Sequence, residues 1–312
     1  MPRTHGKRPA SKLVVLISRR IVPGARRALE AAGIRVLEGG DLRRRAARAD
    51  GLLCMLSDRI DGPFLDACPR LRAVANYAVG HDNIDLKAAA ARGVRVTNTP
   101  GVLTRSTAEL AWTLILACAR RVIEGDRMTR SGGFRGWDPL LLLGMELKGR
   151  TLGIVGPGRI GAETARIGRA FGMRVVTTGR GGGLSRLLGI SDVVSLHVPL
   201  TPATRHLIDR SALARMKPGA ILVNTARGPV IDEQALVRAL RTGRIAAAGL
   251  DVYEREPALA RGLARLPNVV LLPHLGSATR EAREAMALRA AANLIAALEG
   301  RRPKDLLTPW KP

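Results

Sequence analysis

Short apolar runs recur along the chain, and stretches with helical spacing separate them. LVVLIS (13–18), IRVLEGG (34–40), GLLCML (51–56), LRAVANYA (71–78) and VRVTN (94–98) have the length and composition of strands, and PGARRALEAAG (23–33) reads as a helix. Such runs, alternating with helices, predict a parallel sheet covered on both faces. The stretch 101–124, GVLTRSTAELAWTLILACARRVIE, predicts one long buried helix because it is apolar nearly all round. A second α/β unit begins at TLGIVG (151–156), with a helix over about 159–171. Its later strands are MRVVTT (173–178), DVVSLHV (192–198), AILVNTA (220–226), AAAGLDV (246–252) and VVLLPH (269–274). The last helical stretch, about 279–299, is expected to return to the first unit. This divides the chain into 1–98 with 280–312, and 99–279.

The segment between the units, SGGFRGWDPLLLLGME (131–146), has no periodicity and carries four consecutive leucines. It reads as an exposed hook that packs on a second subunit; an intramolecular core segment is the alternative.

Gly156-Pro157-Gly158-Arg159-Ile160-Gly161 fits G-x-G-x-x-G. The pattern is weak alone, but here it follows a strand and opens a helix, the context of a dinucleotide-binding loop. Gly156 permits the tight turn, Gly158 lets backbone approach a pyrophosphate, and Gly161 lets helix and strand pack closely. The helix start offers free N–H groups to the phosphates. The next strand normally ends in an acid that accepts hydrogen bonds from a ribose 2′-hydroxyl. Here it ends Thr177-Thr178-Gly179-Arg180. A hydroxyl and a guanidinium suit a 2′-phosphate, so NADP(H) is expected over NAD(H), with NAD(H) still possible. The competing reading is that Arg180 is one more exposed arginine.

Only eleven residues, 181–191, separate that strand from DVVSLHV. Parallel strands need a crossover of about a dozen residues. The usual third strand and one helix are therefore expected to be missing, stripping one sheet edge and leaving the phosphate loop in place. The fold class is α/β, two Rossmann-like or flavodoxin-like domains with parallel sheets, the cofactor domain shortened by one helix and an edge strand.

Composition changes this picture little. The 312 residues suffice for two domains, and no apolar run approaches the roughly 18 residues of a membrane span. The basic N-terminus, MPRTHGKRPASK, reads as a disordered tail without the apolar segment of a signal peptide. Cys54, Cys68 and Cys118 are scattered and odd in number, which suggests reduced, cytoplasmic usage, with no disulfide frame or metal site. The net charge of +25 comes from 44 arginines and 7 lysines spread along the whole chain. That spread reads as compositional bias rather than a nucleic-acid surface, with non-specific binding of polyanions left open.

Three polar residues sit just beyond strand-like runs: Arg227 in NTARGPVIDEQAL, Glu256 in AAAGLDVYEREP and His274 in LPNVVLLPHLGSAT. Ligands of open α/β sheets lie at such strand ends. An imidazole exchanges a proton near neutrality, a carboxylate beside it fixes its tautomer, and a guanidinium grips an anionic group through its fork.

With MLSDRID (55–61), NYAVGHDNID (76–85), TPGVLTRSTAELA, GPGRIG and PHLGSAT in this order, the chain resembles the D-isomer-specific 2-hydroxyacid dehydrogenases over nearly its whole length, closest to their glyoxylate/hydroxypyruvate reductase branch. The resemblance implies an oxidoreductase that reduces small 2-oxo acids with NADPH or NADH. It makes 1–98 with 280–312 the substrate domain and 99–279 the cofactor domain, and it implies a homodimer. It gives Arg227 the substrate carboxylate and carbonyl, Glu256 the orientation of the histidine, and His274 the acid/base role. By the same resemblance Thr225, Ala226 and Asp251 lie near the nicotinamide, Pro199 and Thr204 on the adenosine side, and Gly276 beside the histidine. Backbone N–H groups of Val79 and Gly80 cradle the substrate carboxylate, and Leu53 and Met55 line its pocket. Formate-type relatives carry an amide where Glu256 stands, and phosphite-type relatives a lysine where Val79 stands, so neither substrate is expected. Transcriptional corepressors share this fold and bind dinucleotide without needing catalysis, which keeps a binding module as the second reading.

Overall fold

In the computed structural model, residues 13–310 are described, so the N-terminal stretch read as a tail lies outside them. The chain divides into two compact units: residues up to Leu103 together with those from Thr279, and Thr104–Ala278.

The first unit runs β1 (Val14–Ile17), α1 (Gly24–Ala31), β2 (Arg35–Glu38), α2 (Leu42–Ala46), β3 (Gly51–Cys54), α3 (Gly62–Asp66), β4 (Ala73–Asn76), α4 (Leu86–Ala91) and β5 (Arg95–Thr97). The strands pair in parallel in the order β2-β1-β3-β4-β5, the flavodoxin-like arrangement. Leu16, Leu52, Cys54, Val74 and Val96 bury one face of the sheet together with Phe64 and Leu65 of α3. Short helices here start on aspartate: Asp41, Asp61 and Asp85 each accept the amide three residues on, which satisfies a helix-start donor.

The second unit runs α5 (Thr104–Ala119), α6 (Val122–Arg130), β6 (Thr151–Val155), α7 (Arg159–Ala170), β7 (Arg174–Thr178), α8 (Leu184–Ile190), β8 (Val193–Leu196), α9 (Arg210–Arg215), β9 (Ile221–Asn224), α10 (Glu233–Arg241), β10 (Ala247–Leu250) and β11 (Val269–Leu271). The last helix, α11 (Arg280–Leu298), belongs to the first unit, where it packs on β3 and β4.

The six strands of the second unit are parallel, in the order β11-β10-β9-β8-β6-β7. Their apolar runs feed two cores by alternation. Val194 and Leu196 of β8, Leu222 of β9 and Leu250 of β10 face one core. Val193, Ile221, Val223 and Ala247 face the other, against Trp112, Leu114 and Ile115 of α5. The sheet ends at β7, as the shortened crossover implies: the seven-residue α8 carries the chain from β7 past β6 to β8, and among the described residues no further strand covers β7.

The single long helix expected over 101–124 is corrected. Arg121 takes a left-handed backbone, φ 51°, which ends α5 and starts α6, and its guanidinium pairs with Glu124 at 2.7 Å. The following segment is exposed on the chain: Trp137 is 85% and Leu140 76% accessible, with Phe134 and Leu143 also outward. Only Leu142 of the leucine run turns back, toward Gly125 of α6.

His197, just beyond β8, is partly buried beside Ser195 at 2.9 Å, and burial pulls its pKa down from 6.5 to about 4. The unfolded chain therefore binds this proton more readily, and stability is lost as pH falls from 6.5 toward 4. The expected loss is up to about 3 kcal/mol. Urea unfolding at several pH values tests this, since His197→Gln should flatten that part of the profile.

Candidate active site

The phosphate loop has the geometry its glycines require. A Cβ on Gly156 (φ +92°) would stand 2.8 Å from the His197 carbonyl, and one on Gly161 2.3 Å from the Gly156 oxygen. Gly158 faces open space. It caps α7 with no side-chain hydrogen bond, leaving the first helical amides, from Arg159, Ile160 and Gly161, facing outward. A pyrophosphate fits this combination of close backbone behind and open helix start in front.

Arg180 lies exposed beyond β7 with no ion-pair partner among the described residues. Thr178 requires a correction. Its hydroxyl is buried and donates to the Gly182 carbonyl, closing the glycine bend, so it has no proton for a phosphate. Thr204 also serves the fold: it donates to the Pro199 carbonyl at 2.7 Å and accepts the Thr201 amide at 2.8 Å, pinning the loop after β8. Thr225 is different, because its buried hydroxyl has no partner among the described residues.

Beyond β9, β10 and β11 the three polar residues converge. His274 Nδ1 lies 2.9 Å from Glu256 Oε2, while Glu256 Oε1 accepts the Tyr253 amide at 3.0 Å. Burial pushes the Glu256 carboxyl up, but the His274 hydrogen bond and charge, the Tyr253 amide and the Arg227 charge outweigh it and hold it below its usual range. Glu254, the neighbouring acid, instead contacts His206 at 2.8 Å.

Each member is held from behind. His274 is left-handed, φ 57°; its amide donates to the Asp251 carbonyl at 2.9 Å. The next two amides, of Leu275 and Gly276, donate to the Asp251 carboxylate at 2.6 and 2.8 Å. Asp251 is 1% exposed, so the contact with nicotinamide expected of it is corrected: both oxygens hold the histidine turn. Burial pushes its pKa up against those bonds. The Asn224 side chain donates to the Arg227 carbonyl at 2.9 Å and accepts the Ala226 amide at 3.0 Å, and Arg227 Nη1 donates to the Ala226 carbonyl at 2.8 Å.

Sequence reasoning missed three supports. Glu233 is buried and accepts the amides of Glu254 and Ala260, at 2.5 and 3.1 Å, fixing the loop that carries Glu256. Asn224 was passed over in NTARG. Gly228 carries no side chain that would single it out, yet a Cβ there would fall 1.8 Å from the Tyr253 carbonyl carbon and 2.4 Å from the Glu254 nitrogen. The Arg227 turn and the Glu256 turn thus touch backbone to backbone. Gly228→Ala is expected to force them apart, lowering stability by about 1–3 kcal/mol and kcat with it. Thermal unfolding and initial rates would check both.

In the first unit, Val79 and Gly80 have their carbonyls taken by the Asn98 and Asn76 side chains, each at 2.7 Å, while neither amide has a partner among the described residues. Asn83 donates to the carbonyls of Met55 and Asp58 at 3.0 Å, joining MLSD to the VGHDN turn. Asp58 in turn accepts from Ser18 and from the Met55 amide. Met55 is half-buried there. Leu53 is corrected: it is 0% exposed inside β3 and presents no surface to a ligand.

Among the described residues no group of three or more His, Cys, Asp or Glu could hold a metal, the three cysteines are free and buried, and no helix is long and apolar enough to cross a membrane.

The family model for the D-isomer-specific 2-hydroxyacid dehydrogenase NAD-binding domain matches residues 112–276. A glyoxylate reductase of Aeropyrum pernix is 51% identical over 84% of this chain and 84% of its own, and one of Thermococcus litoralis 48% identical over 88% and 89%. The crystal structure of an NADPH-dependent glyoxylate/hydroxypyruvate reductase from Sinorhizobium meliloti, in complex with NADP and malonate, superposes with a TM-score of 0.86 at 34% identity, covering 97% of this chain and 99% of that one. With a nicotinamide-dinucleotide domain, the family's ordered motifs and relatives of this similarity, the chain belongs to the D-isomer-specific 2-hydroxyacid dehydrogenases and is an enzyme of that family.

Proposed function

We propose that this enzyme reduces glyoxylate, and hydroxypyruvate as a second substrate, to the 2-hydroxy acid, with NADPH preferred over NADH. The observation that carries the reading is the 2.9 Å contact between His274 and Glu256, placed one backbone contact away from the Arg227 turn. The names of the relatives support the substrate.

When bound, the nicotinamide dinucleotide supplies the hydride. The amides of Arg159, Ile160 and Gly161 would hold its pyrophosphate, the Thr225 hydroxyl and the Ala226 backbone its nicotinamide side, and the Pro199–Thr204 loop its adenosine side. Arg180 would grip a 2′-phosphate without help from Thr178. Arg227 binds the substrate carboxylate through its fork and polarises the carbonyl oxygen. His274 gives that oxygen a proton from Nε2, because Nδ1 is committed to Glu256. Glu256 holds the ring in this tautomer and favours its protonated form. Asp251 and Gly276 position the turn that aims the ring. In the first unit, the amides of Val79 and Gly80, without a partner among the described residues, would offer donors to an anion. A second copy of the chain would cover Phe134, Trp137, Leu140 and Leu143, giving a homodimer.

Glu256→Gln tests the reading. The amide keeps the shape but not the charge or the fixed tautomer. The expected kcat for glyoxylate falls on the order of 10²-fold, at the low end for acid–base groups, while the KM for NADPH stays within about twofold. Unchanged kcat would remove Glu256 from the mechanism.

A further inference from the structure

In the second unit, Gln234, Arg241, Arg261, Gly262, Arg265 and Leu266 line a cavity of about 730 Å³. It is built from one side of α10, from Gln234 to Arg241, and the loop that leads into the amino end of β11, whereas His274 follows the carboxyl end of that strand. Three of its six lining residues are arginine and none is acidic.

Some arginines of this chain are paired, as Arg166 with Glu163 at 2.7 Å, Arg92 with Asp66 at 2.8 Å and Arg289 with Asp305 at 2.5 Å, and others, such as Arg180, are not. The guanidinium groups of Arg241, Arg261 and Arg265 have no ion-pair or hydrogen-bond partner among the described residues. Their frame is firm. Leu263 and Leu266, on either side of Arg265, are buried in the unit's core at 0% and 9% exposure. Gly262 has φ +90°, and a Cβ there would stand 3.0 Å from Arg241 Nη2, so the guanidinium lies against bare backbone.

Three like charges around one concavity repel one another, and a polyvalent anion relieves that repulsion. Guanidinium forks match phosphoryl oxygens bidentately. The volume falls within the roughly 300–1,000 Å³ of small-molecule sites and exceeds what a single phosphate fills. We propose that this cavity binds a small polyphosphorylated ligand at a site separate from the dinucleotide loop.

Inorganic triphosphate is the probe, titrated by calorimetry at fixed ionic strength. Two double variants lose the same charge: Arg241→Gln with Arg265→Gln at the cavity, and Arg19→Gln with Arg20→Gln in the other unit. The expected result is a saturable site weakened at least tenfold in the cavity variant and unchanged in the control. Arg261→Gln alone should weaken it severalfold. Glyoxylate turnover should stay within twofold in all three, which shows that they fold. Equal weakening in both double variants would assign the binding to diffuse charge. Unchanged binding in the cavity variants, or no saturable binding to the unaltered chain, would overturn the proposal as well.

Discussion

Replacing His274 by asparagine is expected to lower kcat for glyoxylate by about 10³–10⁴-fold, the upper range for an acid–base group, with cofactor affinity unchanged. Asparagine is the informative substitution because residue 274 is left-handed, φ 57°. Asparagine tolerates that region, whereas alanine would add backbone strain to the chemical loss. The turn itself persists, since the backbone bonds to Asp251 do not involve the ring. What disappears is the proton at Nε2. Steady-state rates, with cofactor binding followed by fluorescence, separate the two effects. A kcat within tenfold of the unaltered enzyme would mean that another group delivers the proton.

The second large effect is at Arg227. Arg227→Gln is expected to lower kcat/KM for glyoxylate by about 10²–10³-fold, because it removes both the carboxylate clamp and the charge facing the developing alkoxide. Arg227→Lys should recover only part, since an ammonium cannot reproduce the planar fork. The fold should survive either change. The local turn rests on the Asn224 side chain and on the backbone contact of Gly228 with Tyr253, neither of which uses the guanidinium. Initial rates over a glyoxylate range would give the ratio, and a rise in KM alone would reduce Arg227 to a binding group.

Much of the architecture was legible because it depends on local pattern. Buried parallel strands such as AILVN and VVSL must be apolar on both faces, so their runs stand out, and the loss of a strand follows from counting the residues after Thr178. The break at Arg121 was not legible, because nothing in the run LACARRVIE distinguishes a left-handed arginine from a helical one. At the site, Arg227, Glu256 and His274 stood out as polar residues closing apolar strands. The assignments to Leu53, Thr178 and Asp251 failed for a common reason: sequence places a residue near a site but does not say which way its polar atoms are engaged. Leu53 alternates into the core of its sheet, Thr178 closes a bend, and Asp251 holds two amides. Glu233 escaped notice because an acid in the first turn of a helix ordinarily reads as a solvated dipole partner. Here it is buried and bonded to the next loop.

The most direct test of the account is the ratio of kcat/KM for glyoxylate measured with NADPH and with NADH on the unaltered enzyme. In the proposed reaction, turnover belongs to the His274–Glu256–Arg227 site and coenzyme choice to Arg180, which stands in place of an acid. A charge-assisted grip on the 2′-phosphate is worth roughly 1.5–3 kcal/mol, so NADPH should lead by about 10- to 100-fold. Equal or better turnover with NADH would contradict the role given to Arg180, and no turnover of glyoxylate with either coenzyme would contradict the proposed reaction.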